Sequence, residues 1–455
     1  MTSKRRRGNN LPSEIRDRFS CLSDEIIGHI LSFLPVKSAV RTSILSKRWQ
    51  NLWNFITNLE FEENTLIATS SVYDVEHVLS CCTSPHINKF SLTVNCYVHD
   101  ERLESWINYI IKRNVRELRL EGSVFPQCIF TCKTLTVLEL ESGVLFDDED
   151  IPTCSDIDSD SDTDSDALFE NKDIRIPTSF DLPNLKTFRS CLLYYSCDFM
   201  EKLLSSSPLL EDLTIEGTVT SDFIFDLSCP LLKRLKIVLR GRKERKDVQC
   251  KIVINAPNLE YLELVDISTV EYDVENLTSI AEVKIDTRWE VFVNRSILWL
   301  FREIDTLKSL SLHDIFISVL NSGQRRDLPT FYNMNRLELF GKCYSHQSRI
   351  ACLLNVCPNL EVLILHKVSV QYYDRELPSL LGDKRTVPEC LLSCLEVIEL
   401  DGFEGNKEDM EMVKYFLANA RVLKKLTIKS NLDFSVCKRL LELPMSSLTC
   451  KIHLC

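Results

Sequence analysis

A six-residue unit of the form Leu-x-x-Leu-x-Leu recurs along this chain and constrains its fold more than any other feature. It reads clearly at Val115, Leu118, Leu120 and at Leu135, Leu138, Leu140, with a weaker copy at Leu185 and Phe188. Further copies stand at Leu210, Leu213, Ile215; Leu232, Leu235, Ile237; Leu259, Leu262, Leu264; and Ile280, Val283, Ile285. The series goes on at Leu307, Leu310, Leu312; Met334, Leu337, Leu339; Leu360, Leu363, Leu365; Leu395, Ile398, Leu400; and Leu423, Leu426, Ile428. Ile87, Phe90 and Leu92 extend it backward. The central residues of successive units lie 20 to 28 positions apart, save for one gap of 50 and one of 35.

The x-Leu-x-Leu part alternates, which makes it a strand with one buried face. Several units are preceded by helical spacing: Phe199, Leu203, Leu204 before Pro208, and Ile350, Leu353, Leu354 before Pro358. Proline disfavours the α region for the residue before it and ends such a helix. A strand-plus-helix unit buries its apolar face only by stacking on copies of itself. The period is that of leucine-rich repeats. The expected fold is therefore α/β, an irregular leucine-rich-repeat solenoid over 61–370 with a parallel β-sheet on its concave side. Regular repeats of this kind carry Asn or Cys three residues after the last Leu; only Asn431 matches here, so uneven curvature is expected. Strand positions expected on the concave side are Glu139, Thr214, Lys236, Glu263, Ser311, Glu338 and Thr427. Their charges are mixed and name no ligand class.

Residues 18–60 follow a different pattern. Ser23 can cap a helix, with Asp24 and Glu25 in its first turn. Ile26, Ile27, Ile30, Leu31 and Leu34 follow at helical spacing until Pro35 stops the run. A second pattern holds Val36, Ala39, Val40, Ile44 and Leu45, and a third Trp49, Leu52 and Trp53. Three short helices cannot bury this much apolar side chain among themselves. The stretch is either the N-terminal cap of a larger core or a docking module that another protein completes. The order Leu-x-x-Glu-Ile-Ile-x-x-Ile-Leu-x-x-Leu-Pro, Arg-x-Ser-x-Leu-Ser-Lys-Arg-Trp, Leu-Trp closely resembles an F-box. The resemblance implies docking on a Skp-type adaptor through Leu22, Ile26, Ile30, Leu31, Leu34, Pro35, Val36, Val40, Leu45 and Trp49. Many F-boxes have Leu-Pro where this chain has Leu22-Ser23; Ser23 keeps the cap. Leu52 and Trp53 are expected to pack onto the first repeat.

Residues 371–455 carry a second signature. Val387-Pro388-Glu389-Cys390-Leu391 leads into Leu395–Leu400, then Phe403-Glu404-Gly405-Asn406. Asn406 is placed to cap a helix with Met410, Val413, Phe416, Leu417 and Ala420 on one face. The segment resembles the FBD domain of plant F-box proteins, a strand–helix–strand unit expected to cap the open end of the solenoid.

Charge is concentrated. Of the formal net charge of −12, residues 147–173 hold −11, from twelve acids and one Lys. This insertion within the repeats is expected to be disordered. Its alternating Asp pattern fails as an EF-hand, because Ser161 and Ala167 stand where Gly and Glu are needed. Ser155, Ser159, Ser161 and Thr163 each have an acid three positions later and are candidate sites for an acid-directed kinase; a solvated loop is the alternative. The N-terminal tail, 1–17, is polar and expected to be disordered; Lys4–Arg7 form either a nuclear import signal or a plain solvated terminus. Lys233, Arg234, Lys236, Arg240, Arg242, Lys243, Arg245 and Lys246 form a basic cluster, but no interleaved aromatics support nucleic-acid binding.

No signal peptide or membrane-length apolar run is seen, and the 19 cysteines contain no C-x-x-C pair. Reduced thiols in the cytoplasm and/or nucleus, without a metal site, are expected. There is no P-loop, G-x-S-x-G or H-E-x-x-H, and no cofactor is indicated. The combined resemblance, to plant F-box/FBD/leucine-rich-repeat proteins, implies a non-catalytic substrate receptor of an SCF ubiquitin ligase. Its partners would be a Skp-type adaptor, through it a cullin, and a target protein held by the repeats. A ligase-independent scaffold or nuclear regulator is the alternative, and a small-molecule co-receptor a third option without a marked pocket.

Overall fold

The structure is a computed structural model. It describes residues 21–61, 69–93, 100–122, 125–141, 177–194, 197–219, 223–241, 250–266, 270–287, 304, 306–313, 330–341, 347–367, 387–430 and 433–455. The basic tail, the acidic insertion with Ser155, Ser159, Ser161 and Thr163, and Asn431 lie outside these residues. The chain forms two compact units, Met1–Leu135 and Thr136–Cys455.

The first unit opens with helices α1 (Asp24–Leu31) and α2 (Val36–Arg41), followed by 3-10 turns at Thr42–Ile44 and Trp49–Phe55. Strands β1 (Asn58–Phe61), β2 (Lys89–Thr93) and β3 (Glu117–Glu121) then alternate with helices α3 (Thr69–Cys81) and α4 (Asp100–Ile111). The strands are parallel, with Leu59, Phe90 and Leu118 in one register row and Phe61, Leu92 and Leu120 in the next. Val75, Val78, Leu79 on α3 and Leu103, Trp106, Ile107, Ile110 on α4 are buried. Their spacing of three and four places one stripe of each helix in the core. Strand β1 extends the repeats one step further back than the periodicity had placed them; Ile56, Leu59 and Phe61 are its copy of the unit.

The second unit holds twelve parallel strands in one ladder among the described residues. These are β4 (Val137–Glu141), β5 (Thr187–Tyr194), β6 (Asp212–Val219), β8 (Arg234–Gly241), β10 (Tyr261–Asp266) and β12 (Glu282–Thr287). They continue with β13 (Ser309–His313), β14 (Arg336–Gly341), β15 (Val362–Lys367), β16 (Val397–Asp401), β17 (Lys425–Lys429) and β18 (Lys451–Leu454). The repeat marker residues fall in one row: Leu138, Phe188, Leu213, Leu235, Leu262, Val283, Leu310, Leu337, Leu363, Ile398, Leu426, then Ile452. Those from Leu138 to Leu426 are all buried. At about 1.5–3 kcal/mol for each fully buried aliphatic side chain, this row and the one two residues on supply most of the driving force for stacking.

Backbone bonding explains how the repeats dispense with the asparagine of regular ones. Through most of the ladder, one carbonyl before a strand accepts two N–H groups from the entry to the next strand. Thr57 O receives Asn88 and Lys89, Lys186 O receives Glu211 and Asp212, and Lys233 O receives Glu260 and Tyr261. The pattern runs on through Asn335 O and Glu396 O. Side chains add to it where they can reach: Thr306 Oγ1 donates to Ile280 O at 2.7 Å and Asn359 Nδ2 to Tyr332 O at 2.8 Å.

The layer behind the ladder is part helix and part strand. Helices α5 (Cys197–Ser206) and α6 (Gln347–Leu354) stand where the spacing predicts them. Between them β7 (Phe223–Ser228), β9 (Cys250–Asn255) and β11 (Val270–Glu275) form a second parallel sheet instead. Phe225, Leu227, Ile252, Ile254, Val270, Tyr272 and Val274 alternate inward on it. Toward the C-terminus come α7 (Glu389–Ser393), α8 (Lys407–Asn419) and α9 (Phe434–Leu441). Asn406 caps α8 by accepting from Asp409 N at 2.9 Å, and Met410, Val413, Phe416 and Leu417 are buried beneath it. Gly405, at φ +75°, lies where a Cβ would meet Val436 of α9 at 2.5 Å, so no larger residue fits without displacing that helix.

Candidate functional site

The N-terminal module is held together by polar links at its ends and one close contact at its centre. Ser23 Oγ accepts from Ile26 N at 3.4 Å and starts α1. Arg48 closes the other side of that turn: its guanidinium reaches Asp24 Oδ1 at 2.7 and 3.0 Å and also donates to Leu22 O. At the far end Ser32 Oγ donates to Gly28 O at 3.0 Å and accepts from Thr57 N at 2.9 Å. Gly28 lets the helix approach the Trp49–Phe55 turn, since a Cβ there would meet Phe55 Cβ at 2.9 Å.

This arrangement divides the apolar residues into two sets. Ile27, Leu31, Val36, Ala39, Leu52, Trp53 and Ile56 are buried. Ile26, Ile30, Phe33, Leu34, Ile44 and Leu45 are exposed, with Phe33 at 73% and Ile44 at 86%. Of the residues expected on the docking face, Ile26, Ile30, Leu34, Pro35 and Leu45 are exposed, and Leu22, Val40 and Trp49 are half-buried. Leu31 and Val36 are corrections. They are 1% and 4% exposed because α1 and α2 turn them toward the module's own core, so they support the face from behind. Phe33 and Ile44 are exposed as well and are not among the residues expected there. Phe33 continues the stripe of Ile26 and Ile30 at i+7 and i+3, a signal present in the sequence.

The Trp49–Phe55 turn, which carries the buried Leu52 and Trp53, lies against α1 and the Thr42–Ile44 turn. Backbone bonds join it to the repeats: Thr83 N donates to Asn54 O at 2.9 Å, and Asn88 N to Thr57 O at 2.8 Å.

In the second unit, the sheet face opposite the leucines is a lattice of charges. One row runs Glu139, Arg189, Thr214, Lys236, Glu263, Lys284, Ser311, Glu338, Ile364, Glu399, Thr427 and His453. All seven positions expected on this face lie in that row. Neighbouring strands pair their charges. Arg189 reaches Glu139 at 3.0 Å and Asp212 at 3.3 Å, Lys236 reaches Glu216 at 2.9 Å, and Lys284 reaches Glu263 at 3.3 Å. Tyr261 donates to Glu263 at 2.6 Å, and Arg234 lies over the Tyr261 ring at 4.4 Å. Burial works to raise the Glu263 carboxyl, but the Tyr261 bond and the two lysines outweigh it and hold the pKa below the usual range.

His366 sits between two carboxylates, Glu338 at 2.7 Å and Asp401 at 3.0 Å, and stacks on Phe340 at 4.5 Å. The bond to Glu338 raises the imidazole pKa against the opposing effect of burial. That same bond lowers the pKa of Glu338. In the basic cluster Lys233 pairs with Glu211 at 2.7 Å, while Arg242, Lys243, Arg245 and Lys246 lie outside the described residues. Among the described residues no group of three or more His, Cys, Asp or Glu is arranged to hold a metal, and no helix is long and apolar enough to cross a membrane.

Comparison with known proteins matches these regions. The F-box domain family model covers residues 19–59 and the FBD family model residues 383–428. A chain from Arabidopsis thaliana named as an F-box/FBD/LRR-repeat protein is 30% identical, spanning 94% of this chain and 93% of its own. An F-box/LRR-repeat protein of the same plant is also 30% identical, over 92% of this chain and 89% of its own. A further F-box/FBD/LRR-repeat protein is 29% identical over 90% and 89%. With an exposed apolar face on the N-terminal module and a repeat ladder that runs through the FBD segment, this chain belongs to the plant F-box/FBD/leucine-rich-repeat proteins.

Proposed function

We propose that the chain is the non-catalytic substrate-receptor subunit of an SCF ubiquitin ligase. The observation that carries this is the stripe of Ile26, Ile30, Phe33, Leu34, Ile44 and Leu45, left exposed on a module that has its own buried core. An apolar stripe of this kind on a small helical module is what a helical adaptor would cover. In this role the face binds a Skp-type adaptor and through it a cullin. The repeats hold a target protein near the ubiquitin-charged conjugating enzyme. The chain contributes proximity, which raises the effective concentration of target lysines, and no chemistry of its own. The site of action is the cytoplasm, the nucleus or both.

A Leu34→Asp, Pro35→Ala double change is expected to abolish copurification with a Skp-type adaptor while leaving the thermal unfolding of the repeats unchanged. Undiminished copurification would contradict the docking assignment. Recovery of the adaptor without a cullin would favour a ligase-independent scaffold instead.

A further inference from the structure

Charge in the N-terminal module has one sign after its first turn. No acidic residue stands between Glu25 and Glu60, while Lys37, Arg41, Lys47 and Arg48 do. Most hydroxyls of this stretch serve the fold. Ser23 caps α1, and Ser32 bridges Gly28 O and Thr57 N. Thr42 and Ser43 are half-buried and donate to Ala39 O and Val40 O, each at 2.6 Å. Ser46 differs. It is exposed, and its hydroxyl has no hydrogen-bond partner among the described residues.

Its surroundings give that hydroxyl a use. Ser46, Lys47 and Arg48 lie between the Thr42–Ile44 and Trp49–Phe55 turns, outside helix and strand, with Trp49 N donating to Ser46 O at 3.0 Å. No helix has to unwind for this segment to extend into a kinase cleft. Basic residues stand on both sides of the hydroxyl: Arg41 at the end of α2, then Lys47 and Arg48, all exposed. Ile44 and Leu45, two exposed residues of the apolar stripe, come directly before it. A charge placed on Ser46 therefore borders the face.

We infer that Ser46 is a phosphorylation site for a kinase that selects basic sequences, and that the phosphate closes the apolar face to its partner. Ser46 Oγ attacks the γ-phosphorus of ATP, the bond from that phosphorus to the β–γ bridging oxygen breaks, ADP leaves, and a base of the kinase takes the hydroxyl proton. The product carries about −1.5 to −2 charge at neutral pH. It acts in two ways. A dianion beside Ile44 and Leu45 holds its water, and an apolar partner surface cannot cover the stripe without stripping that water away. The phosphate also stands two residues from Arg48, whose guanidinium holds Asp24 Oδ1 at 2.7 and 3.0 Å and donates to Leu22 O. It competes with the carboxylate for the same fork. Drawing Arg48 away loosens the first turn of α1, which leads into Ile26 and Ile30. Charge selects the kinase class: an acid-directed enzyme, which suits the candidate serines of 147–173, finds no acid between Ser46 and Glu60. Control of docking rests on the adaptor role proposed above, whereas phosphate uptake by Ser46 does not.

The test uses the full-length protein in two arms. In the first, ATP and the catalytic domain of a serine kinase directed by basic residues are added, with and without an excess of Skp-type adaptor. Mass spectrometry then reads phosphate on Ser46. Uptake by the free chain is expected, together with protection by the adaptor. In the second arm, protein carrying phosphoserine at position 46, made by genetic code expansion, is titrated with the adaptor by calorimetry. Affinity is expected to fall roughly tenfold or more and to return after phosphatase treatment, while Ser46→Ala binds like the unmodified chain. No phosphate on Ser46 of the free chain, or equal affinity of the modified and unmodified chains, would overturn the proposal. So would a loss that phosphatase does not reverse, because it would report misfolding rather than charge. Failure of the unmodified chain to bind the adaptor would sink the docking role and its control together, while the first arm still decides whether Ser46 is a kinase site.

Discussion

Asp409 shows how one residue ties several local structures together. Its side chain is fully buried. Oδ2 accepts from the backbone N–H of Glu404 at 2.8 Å and of Gly405 at 3.1 Å, while Oδ1 lies 3.4 Å from Lys367 Nζ. The carboxylate thus closes the turn before α8 and fixes that turn to β15. In the sequence it is legible only as an acid in the first turn of a helix, because nothing in a linear string shows the side chain turning back onto the two preceding N–H groups. Asp409→Ala leaves two part-buried N–H donors without their acceptor, while Lys367 keeps Glu404 at 2.8 Å. It is expected to cost roughly 2 kcal/mol of stability, measured as a shift in the urea midpoint at constant slope. The exposed Phe33 and Ile44 make the converse point. Their type and spacing were visible, but which side of each turn faces outward is decided by Gly28 meeting Phe55 and by Arg48 gripping the first turn, contacts made across the module.

At the scale of elements, the strands of the ladder were the most legible part. Each needs only two or three apolar residues in alternation, and the same face is buried in every copy. The second sheet was less so. Its strands β7, β9 and β11 occupy the half of the repeat where helices stand elsewhere. Segments such as Phe223–Ser228 alternate as plainly as the ladder strands do, yet nothing local shows that they pair with one another rather than with the ladder. Irregular repeats also place functional polar groups by register. His366 on β15 meets Glu338 on β14 and Asp401 on β16 only because the three strands align. The sign of its effect follows from the raised imidazole pKa. Stability from the charged imidazole is fully present below the unfolded value near pH 6.5 and is lost as pH rises through the higher folded value. His366 is about one-fifth exposed, so solvent screening limits the effect to about 1 kcal/mol or less. Chemical denaturation between pH 6 and 8.5 is expected to show stability falling with pH in the native protein and a flatter profile in His366→Gln. Equal slopes in the two would remove the ion-pair assignment.

At the scale of the whole molecule, the first unit carries an exposed apolar face and the second a long repeat surface. The formal charge of −12 gives little guide to either, because nearly all of it belongs to 147–173 and the described sheet face pairs its own charges strand by strand. A partner that binds the lattice must displace those pairs or fit between them, which favours shape and edge contacts over net charge. In the proposed role, the stripe on α1, the link after it and the Thr42–Ile44 turn is the adaptor-binding face, available because Ile27, Leu31, Val36 and Ala39 behind it are already buried. Hydrogen exchange of the full-length chain, with and without an excess of a purified Skp-type adaptor, tests it most directly. Slower exchange across residues 24–49 and unchanged exchange in β12 to β16 are expected. Unchanged exchange across 24–49, or protection confined to the sheet, would contradict it.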